Sequence, residues 1–309
     1  MKPNFIIAGA PKSATSWLVN ALKRHPDTYL PRSELHFFNI KENYARGFDW
    51  YCGKFDPGKG RRAIGEKTPN YMWITPAPHK SRFGTHLPDI HKAIHRLLPD
   101  VKLIFVLRDP VDRLVSAFNH YRRSGQFSPY WDLEDVVFGR KAHLGDKYGL
   151  IDMGLYAKHL EAYYQLFDRS RLKVIITETD IKGAADKTLM EICRFLDIDP
   201  GHPEMNPGKE VNSFAPIRVS QAYLNYLNPF PNVKSLKRGA RFASKILRGP
   251  PLKKYVPDEN VLKQIAGIYA KPNQKLFTLI GRQDVDWKYS APPESAASTR
   301  AAPQGATRG

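Results

Sequence analysis

The chain has 309 residues, 42% of them hydrophobic and 12% aromatic, and its 48 Lys and Arg against 30 Asp and Glu leave a formal charge of +18. This composition supports one large domain or two small ones with a real core, and excludes a disordered polybasic chain, a collagen-like repeat and a disulfide-dense scaffold. The charge asks for an anionic partner without saying whether that is nucleic acid, a membrane surface, a nucleotide or an acidic glycan.

Cys52 and Cys193 lie far apart and in no metal-binding spacing, so they read as free thiols of a reducing compartment. The longest apolar run near the start, Phe5–Ala10, is too short for a signal-peptide core or a spanning helix. The expectation is a soluble, cytoplasmic protein without internal repeats.

In chain order, Asn4–Gly9 reads as a buried strand, followed by the turn Ala10-Pro11-Lys12-Ser13 and an amphipathic helix from about Ala14 to Arg24. His25-Pro26-Asp27 ends that helix. Lys102–Leu107 is a second buried strand, running through Arg108-Asp109-Pro110 into a helix with Val111, Leu114, Val115 and Phe118 on one face. Pro110 suits the first helical turn, where a missing N–H costs nothing. Helices are predicted near Leu155–Phe167 and Ala185–Leu196, with a third strand at Leu172–Thr177 between them and a last helix from Asp258 to about Leu279. Continuous apolar strands alternating with helices predict an α/β fold, a parallel sheet covered on both faces. One domain is expected over residues 1–288. Its Pro- and Asn-rich stretch near 200–257 reads as an irregular insert or lid, and 289–309 as a disordered tail.

Pro11, Lys12, Ser13, Ala14, Thr15 and Ser16 stand between strand and helix, where backbone N–H groups and the helix dipole meet an anion. Lys12 adds a point charge, and Thr15 and Ser16 add hydroxyl donors. The pattern GxxxxGK[ST] of nucleotide triphosphatases is absent, and no residue pair reads as a magnesium site. Arg108 ends a strand and Ser116 follows two helical turns later, so both can grip one phosphate at the sheet's ligand-binding edge. Two phosphate sites on one sheet suit a nucleotide phosphorylated in two places.

These segments resemble the sulfotransferases that use 3′-phosphoadenosine 5′-phosphosulfate (PAPS). Pro11–Leu18 is similar to their 5′-phosphosulfate loop, and Leu107–Ser116 to their 3′-phosphate segment. Ser33-Glu-Leu-His-Phe-Phe38, Glu66-Lys-Thr-Pro-Asn-Tyr71 and the ending Gly281…Asp286-Trp287 resemble the heparan sulfate-type branch of carbohydrate sulfotransferases, in the same order over residues 4–287. The family's Lys-Gly-Gly-Thr loop has Ser13 and Ala14 in place of its glycines, and the branch's C-terminal cysteine pair is missing. Its nucleotide-closing Lys-Gly-Arg stretch has no clean match, with Lys253-Lys254 or Arg238-Gly239 as substitutes.

The resemblance implies a P-loop-like three-layer fold, PAPS as donor, and a hydroxyl or amine of a glycan or sugar-bearing small molecule as acceptor; with no metal motif in the sequence, fixed cations are expected to suffice without a metal. It assigns Lys12 to the leaving 5′-phosphate and Glu34 to the general base, with His36 and Lys67 lining the same centre. His36 is the rival base, or a hydrogen-bonded core histidine. Arg113 reads as a helix-surface charge, and Trp17 and Phe118 as core. Lys234, Lys237, Arg238, Arg241, Lys245, Arg248, Lys253 and Lys254 stand without Asp or Glu between Val233 and Tyr255. They read as a solvated charged face, or as a nucleotide clamp, a site for an acidic or phosphate-bearing acceptor, or a peripheral contact with anionic membrane. Tyr223, Tyr226 and Phe230 could stack on an acceptor or pack the insert. Two other functions fit less of the sequence. One is a small-molecule kinase on the same fold, the other a non-catalytic nucleic-acid-binding protein, for which no specific recognition motif is present.

Overall fold

A computed structural model describes residues 1–81, 84–202, 205, 217–227 and 250–289. Phe230, the cations from Lys234 to Arg248 and the segment 290–309 lie outside the described residues. The strands are β1 (Phe5–Gly9), β2 (Thr28–Tyr29), β3 (Ala63–Lys67), β4 (His79–Ser81), β5 (Gly84–His86), β6 (Lys102–Leu107) and β7 (Leu172–Ile176). Among the described residues, helices of eight residues or more are α1 (Thr15–Leu22), α2 (Ile90–Leu97), α3 (Pro110–Ser124), α4 (Tyr156–Tyr164), α5 (Gly183–Phe195), α6 (Val219–Leu227) and α7 (Glu259–Ile280).

The main sheet has the order β2-β3-β1-β6-β7, and all its pairings are parallel. Every residue of β1 is buried, and the period of two along a strand divides them between the faces. Phe5 and Ile7 join Trp17, Leu18, Leu22, Ile104, Val106, Leu189 and Ile192 under α1 and α5. Ile6 and Ala8 join Phe37, Phe38, Tyr71, Phe105, Leu160 and Tyr163 on the other face, under α2, α4 and the start of the chain's aromatic loops. This is the doubly covered α/β sheet that the apolar strands imply. Strand order reverses at β1, so the carboxyl ends of β1, β3 and β6 border the crevice where such sheets bind ligands.

The boundaries at β1, α1, β6, α3 and β7 agree with the sequence reading to within about two residues. Pro110 stands in the first turn of α3, and Asp109 caps that helix by accepting from Val111 N at 2.9 Å. Trp17 and Phe118 are buried, as expected.

Arg113 corrects its surface assignment. Its side chain is fully buried and donates to Leu150 O. The reason is that α3 is enclosed on more than one side, because Phe127, Val136, Leu150, Ile265 and Tyr269 form a third apolar cluster with its Val111, Leu114 and Phe118. The stretch 200–257 is more regular than expected where described. It holds α6, which packs along α3 with Asn225 Nδ2 donating to Arg123 O at 3.0 Å. Strands β2 and β3 and the hairpin β4–β5 carry no apolar run and were not anticipated. Trp287 is buried against Tyr156 and Phe277 and donates from Nε1 to Glu178 Oε2 at 3.0 Å, which ties the last described segment to the sheet edge. No helix among the described residues is long and apolar enough to cross a membrane.

Gly65 lies opposite Phe5 in the β1–β3 pairing, and an added Cβ would sit 2.5 Å from both the Phe5 ring and Phe5 O. Backbone cannot yield there without separating the two strands. Gly65→Ala is therefore expected to cost about 1–3 kcal/mol, the usual range for overpacking. The check is a lower denaturant midpoint at unchanged m-value.

Candidate active site

The loop leaving β1 is short and turns tightly. Lys12 and Ala14 both adopt left-handed backbone, with φ of 69° and 62°. Left-handed residues within a turn are the backbone signature of anion-binding nests. Ala14 caps α1 without a side-chain hydrogen bond; Trp17 N donates to Ala14 O at 2.9 Å, and the N–H groups of Thr15 and Ser16 point from the helix start toward an outside acceptor. Thr177, at the end of β7, places its hydroxyl 3.2 Å from Ser13 O and 2.7 Å from Leu107 O, which fastens the loop to the neighbouring strand ends.

The loop forms one wall of a cavity of about 320 Å³. Pro11, Lys12, Ser13, Ala14, Thr15 and Ser16 line it, and so do Glu34, His36 and Lys67. Lys67 arrives from the end of β3 and pairs with Glu34 Oε1 at 2.7 Å. His36 Nε2 lies 3.2 Å from Glu34 Oε2, and its Nδ1 is 3.2 Å from Asn39 Oδ1. Glu34 is thus neither a solvated loop carboxylate nor isolated, and His36 is a cavity residue and not core.

Charge is unevenly balanced here. Burial lowers the pKa of Lys12, and the positive Arg123, Arg108 and Lys67 lower it further, against the opposing pull of Glu34. Burial alone pushes the Glu34 carboxyl up, but His36 and Lys67 outweigh it and hold it below the usual carboxylate range. His120 is exposed on the cavity wall, yet partial enclosure and the nearby Lys12 and Arg123 bring its pKa down to about 4.

The remaining sequence candidates stand apart from this wall. Arg108 is half-buried at the end of β6, with Nη2 2.8 Å from Asp112 Oδ2 and Nε 3.9 Å from Glu178 Oε1. Ser116 is half-buried on α3, next to the wall residue Ala117. Lys253 and Lys254 are exposed and do not line the cavity. Their segment is held along α3 by Tyr255, whose N donates to Asn119 Oδ1 at 2.7 Å and whose OH donates to Glu134 Oε2 at 2.6 Å.

Sequence reasoning missed two groups. His120 and Arg123 follow Ser116 by four and seven residues, so a helical wheel continued from Ser116 would have placed them on its face. The hairpin β4–β5 offered no such signal. It brings His79, Ser81 and His86 to the cavity together with Trp73. His79 and His86 stack at 4.5 Å, Trp73 lies edge-on to His79, and Ser81 Oγ is 3.0 Å from His86 Nε2. Burial, with His79 and His36 adding to it, takes the His86 pKa down to about 4, so this wall presents neutral imidazole.

A sulfotransferase domain profile matches residues 2–227. The chain belongs to the sulfotransferase family. Heparan sulfate glucosamine 3-O-sulfotransferase 5 of Mus musculus is 24% identical over 284 residues, covering 91% of this chain and 72% of that protein. Heparan sulfate glucosamine 3-O-sulfotransferase 3B1 of Homo sapiens is 32% identical over 291 residues, covering 92% of this chain and 65% of that protein. The solved structure of a sulfotransferase from Alicyclobacillus acidocaldarius superimposes with a TM-score of 0.63 at 22% identity, over 92% of this chain and 97% of that one. The fold is therefore the P-loop-like sulfotransferase fold, and the protein is a PAPS-dependent sulfotransferase. This sets aside the kinase and the non-catalytic readings of the sequence. The residues fit the donor: a tight loop with uncapped helix N–H groups, and a lysine destabilised by neighbouring cations until an anion joins it.

Because the fold depresses the Lys12 pKa, its charge costs the folded state. Lys12→Met is expected to raise the Tm of the ligand-free enzyme. It should also remove most of the stabilisation given by PAP, the 3′,5′-bisphosphate product. Thermal unfolding of both proteins with and without PAP checks both effects.

Proposed function

We propose that this sulfotransferase modifies a hydroxyl of a glycan or sugar-bearing small molecule, with Glu34 as the general base. The observation that carries the reading is the Glu34–Lys67–His36 constellation lining one cavity with Lys12. PAPS supplies a sulfuryl group on a phosphate leaving group. Glu34 accepts the acceptor's proton as its oxygen bonds to sulfur and the bond from sulfur to the phosphate oxygen breaks. Lys12 and the loop N–H groups stabilise charge appearing on the leaving 5′-phosphate. Lys67 and His36 keep Glu34 ionised and aimed, and Arg108 and Ser116 hold the 3′-phosphate. Fixed cations do this work without a metal, so activity should persist in a chelator.

Two things support a sugar acceptor. The relatives named above act on heparan sulfate glucosamine, and the cavity lining includes Asn70, Ser81, His79 and His86 beside Trp73, polar groups among aromatic surface that suit a hydroxylated ring. The free thiols Cys52 and Cys193 support a cytoplasmic location.

Incubating a glycan and metabolite extract with enzyme and PAPS, followed by mass spectrometry, tests the reading, with sulfation of a sugar hydroxyl as the expected result. Calorimetry should give tighter binding of PAP than of ATP, and equal or tighter ATP binding would refute the two-phosphate site. Glu34→Gln should cut kcat by about 10²–10⁴-fold while PAP binding is retained. If His36→Ala does so instead, His36 is the base. Lys67→Met removes a charge that depresses the Glu34 pKa, so the acid limb of its kcat–pH profile should move to higher pH than in the wild type.

A further inference from the structure

The segment that carries Glu34 and His36 is not a strand or helix of its own. It is a short loop, and His36 holds a left-handed backbone conformation there, with φ of 49°. Something must hold it, because a side chain aimed from a loop is only as well placed as the backbone beneath it.

The holding groups come from the strand that supplies Lys67. Along β3 side chains alternate, and Glu66 points away from the cavity into the core, where it is fully buried. Tyr51 OH donates to its Oε1 at 2.7 Å, Tyr71 OH donates to the same oxygen at 3.0 Å, and Thr68 Oγ1 donates to Oε2 at 2.8 Å. Tyr51, Thr68 and Tyr71 are themselves fully buried. Two of these hydroxyls have a second duty. Tyr71 OH accepts from Phe37 N at 2.9 Å and from Phe38 N at 3.4 Å, and Thr68 Oγ1 accepts from His36 N at 3.4 Å.

A hydroxyl has one proton and two lone pairs. When an acceptor-only carboxylate takes the proton, both lone pairs remain for the loop's N–H groups. If the carboxylate is lost, the hydroxyl proton must find another acceptor, and a backbone N–H competes for the same oxygen. Buried groups of this kind are costly to leave unpaired, so the loop would move. Tyr51 differs from the other two: its hydroxyl serves Glu66 alone among the described contacts, and its ring stacks on Phe37 at 4.6 Å.

We infer that Glu66 is a positioning residue, which orients the Tyr71 and Thr68 hydroxyls so that they clamp the backbone of residues 36–38 and thereby aim Glu34 and His36 at the cavity. The inference rests on Glu34 acting on the acceptor only for its kinetic consequence. The positioning itself is read without turnover.

The test compares Tyr71→Phe with Tyr51→Phe, each losing one hydroxyl from the same carboxylate. The His36 imidazole resonance is followed by NMR in the PAP complex, assigned by its loss in His36→Ala. Tyr71→Phe should shift that resonance and lower kcat by about tenfold to a hundredfold, the scale of a small misplacement of reacting groups. PAP affinity should stay within about twofold, because the donor loop is untouched. Tyr51→Phe should leave the resonance in place. Glu66→Gln should reproduce the Tyr71→Phe shift, and the double variant should add little to either. If a variant at Glu66 or Tyr71 does not fold, Thr68→Val, which removes the acceptor of His36 N, carries the same expectation. An unmoved His36 resonance in Tyr71→Phe overturns the inference whatever happens to kcat, and so does an equal shift in Tyr51→Phe. If the resonance moves as expected while Glu34→Gln keeps full activity, the assignment of the base fails and the positioning role stands.

Discussion

The site is organised around a surplus of positive charge that the sheet forces together. Lys12 and Lys67 face one cavity, Arg108 and Arg123 lie close enough to depress the Lys12 pKa, and Glu34 is the one carboxylate on that wall among the described residues. Unit charges at contact distance interact by about 4 kcal/mol at the effective dielectric of a protein surface. Such repulsion is tolerated only where the backbone leaves the side chains no room to spread, and it is recovered when an anion binds. Nearby positive groups keep Glu34 ionised despite its partial burial, while burial first and neighbouring charges second lower the pKa of His86 and of His120.

The parallel sheet supplies that constraint. All strands of the main sheet run in one direction, so β1, β3 and β6 deliver their following residues to a single edge: the loop after Gly9, Lys67 at the end of β3 and Arg108 after Leu107. Close approach between β1 and β3 requires Gly65 against Phe5. That proximity in turn sets the distance between Lys12 on one strand's loop and the Lys67–Glu34 pair on the other. Glu66 and Lys67 divide the work of adjacent positions, one facing the core to brace the loop and one facing the cavity to pair with its carboxylate.

The overall charge of +18 becomes more specific in this light. The site uses a handful of cations, each placed against a carboxylate or another cation at the sheet edge. Lys253 and Lys254 do not line the cavity, and their segment is docked along α3 through Tyr255 and Arg122 with both lysines exposed. A high net charge therefore says little about a site by itself.

Much of the fold and half of the site were legible without coordinates. The apolar runs at Phe5, Lys102 and Leu172 identify β1 and β6 in the middle of the sheet and β7 at its edge, because strands covered by helices on both faces are apolar along their length. Gly9, Lys12 and Thr15 mark the anion loop, because strand–turn–helix geometry is local and its chemistry follows from residue type. Strand β3 was illegible because Glu66 and Lys67 interrupt its apolar pattern, and Arg113 was misread because an arginine on a helix is exposed unless distant segments cover it. Those segments, near Leu150 and Tyr269, are contributed by parts of the chain that no local period connects to α3. Residue order alone determined which chemistry the protein carries: the strands, the anion loop and the acid–histidine–lysine set. Tertiary structure decided which of these groups meet, how far Lys12 stands from its counter-charge and what braces Glu34, because distances between separate strands and loops follow from packing, and packing is a property of the whole chain.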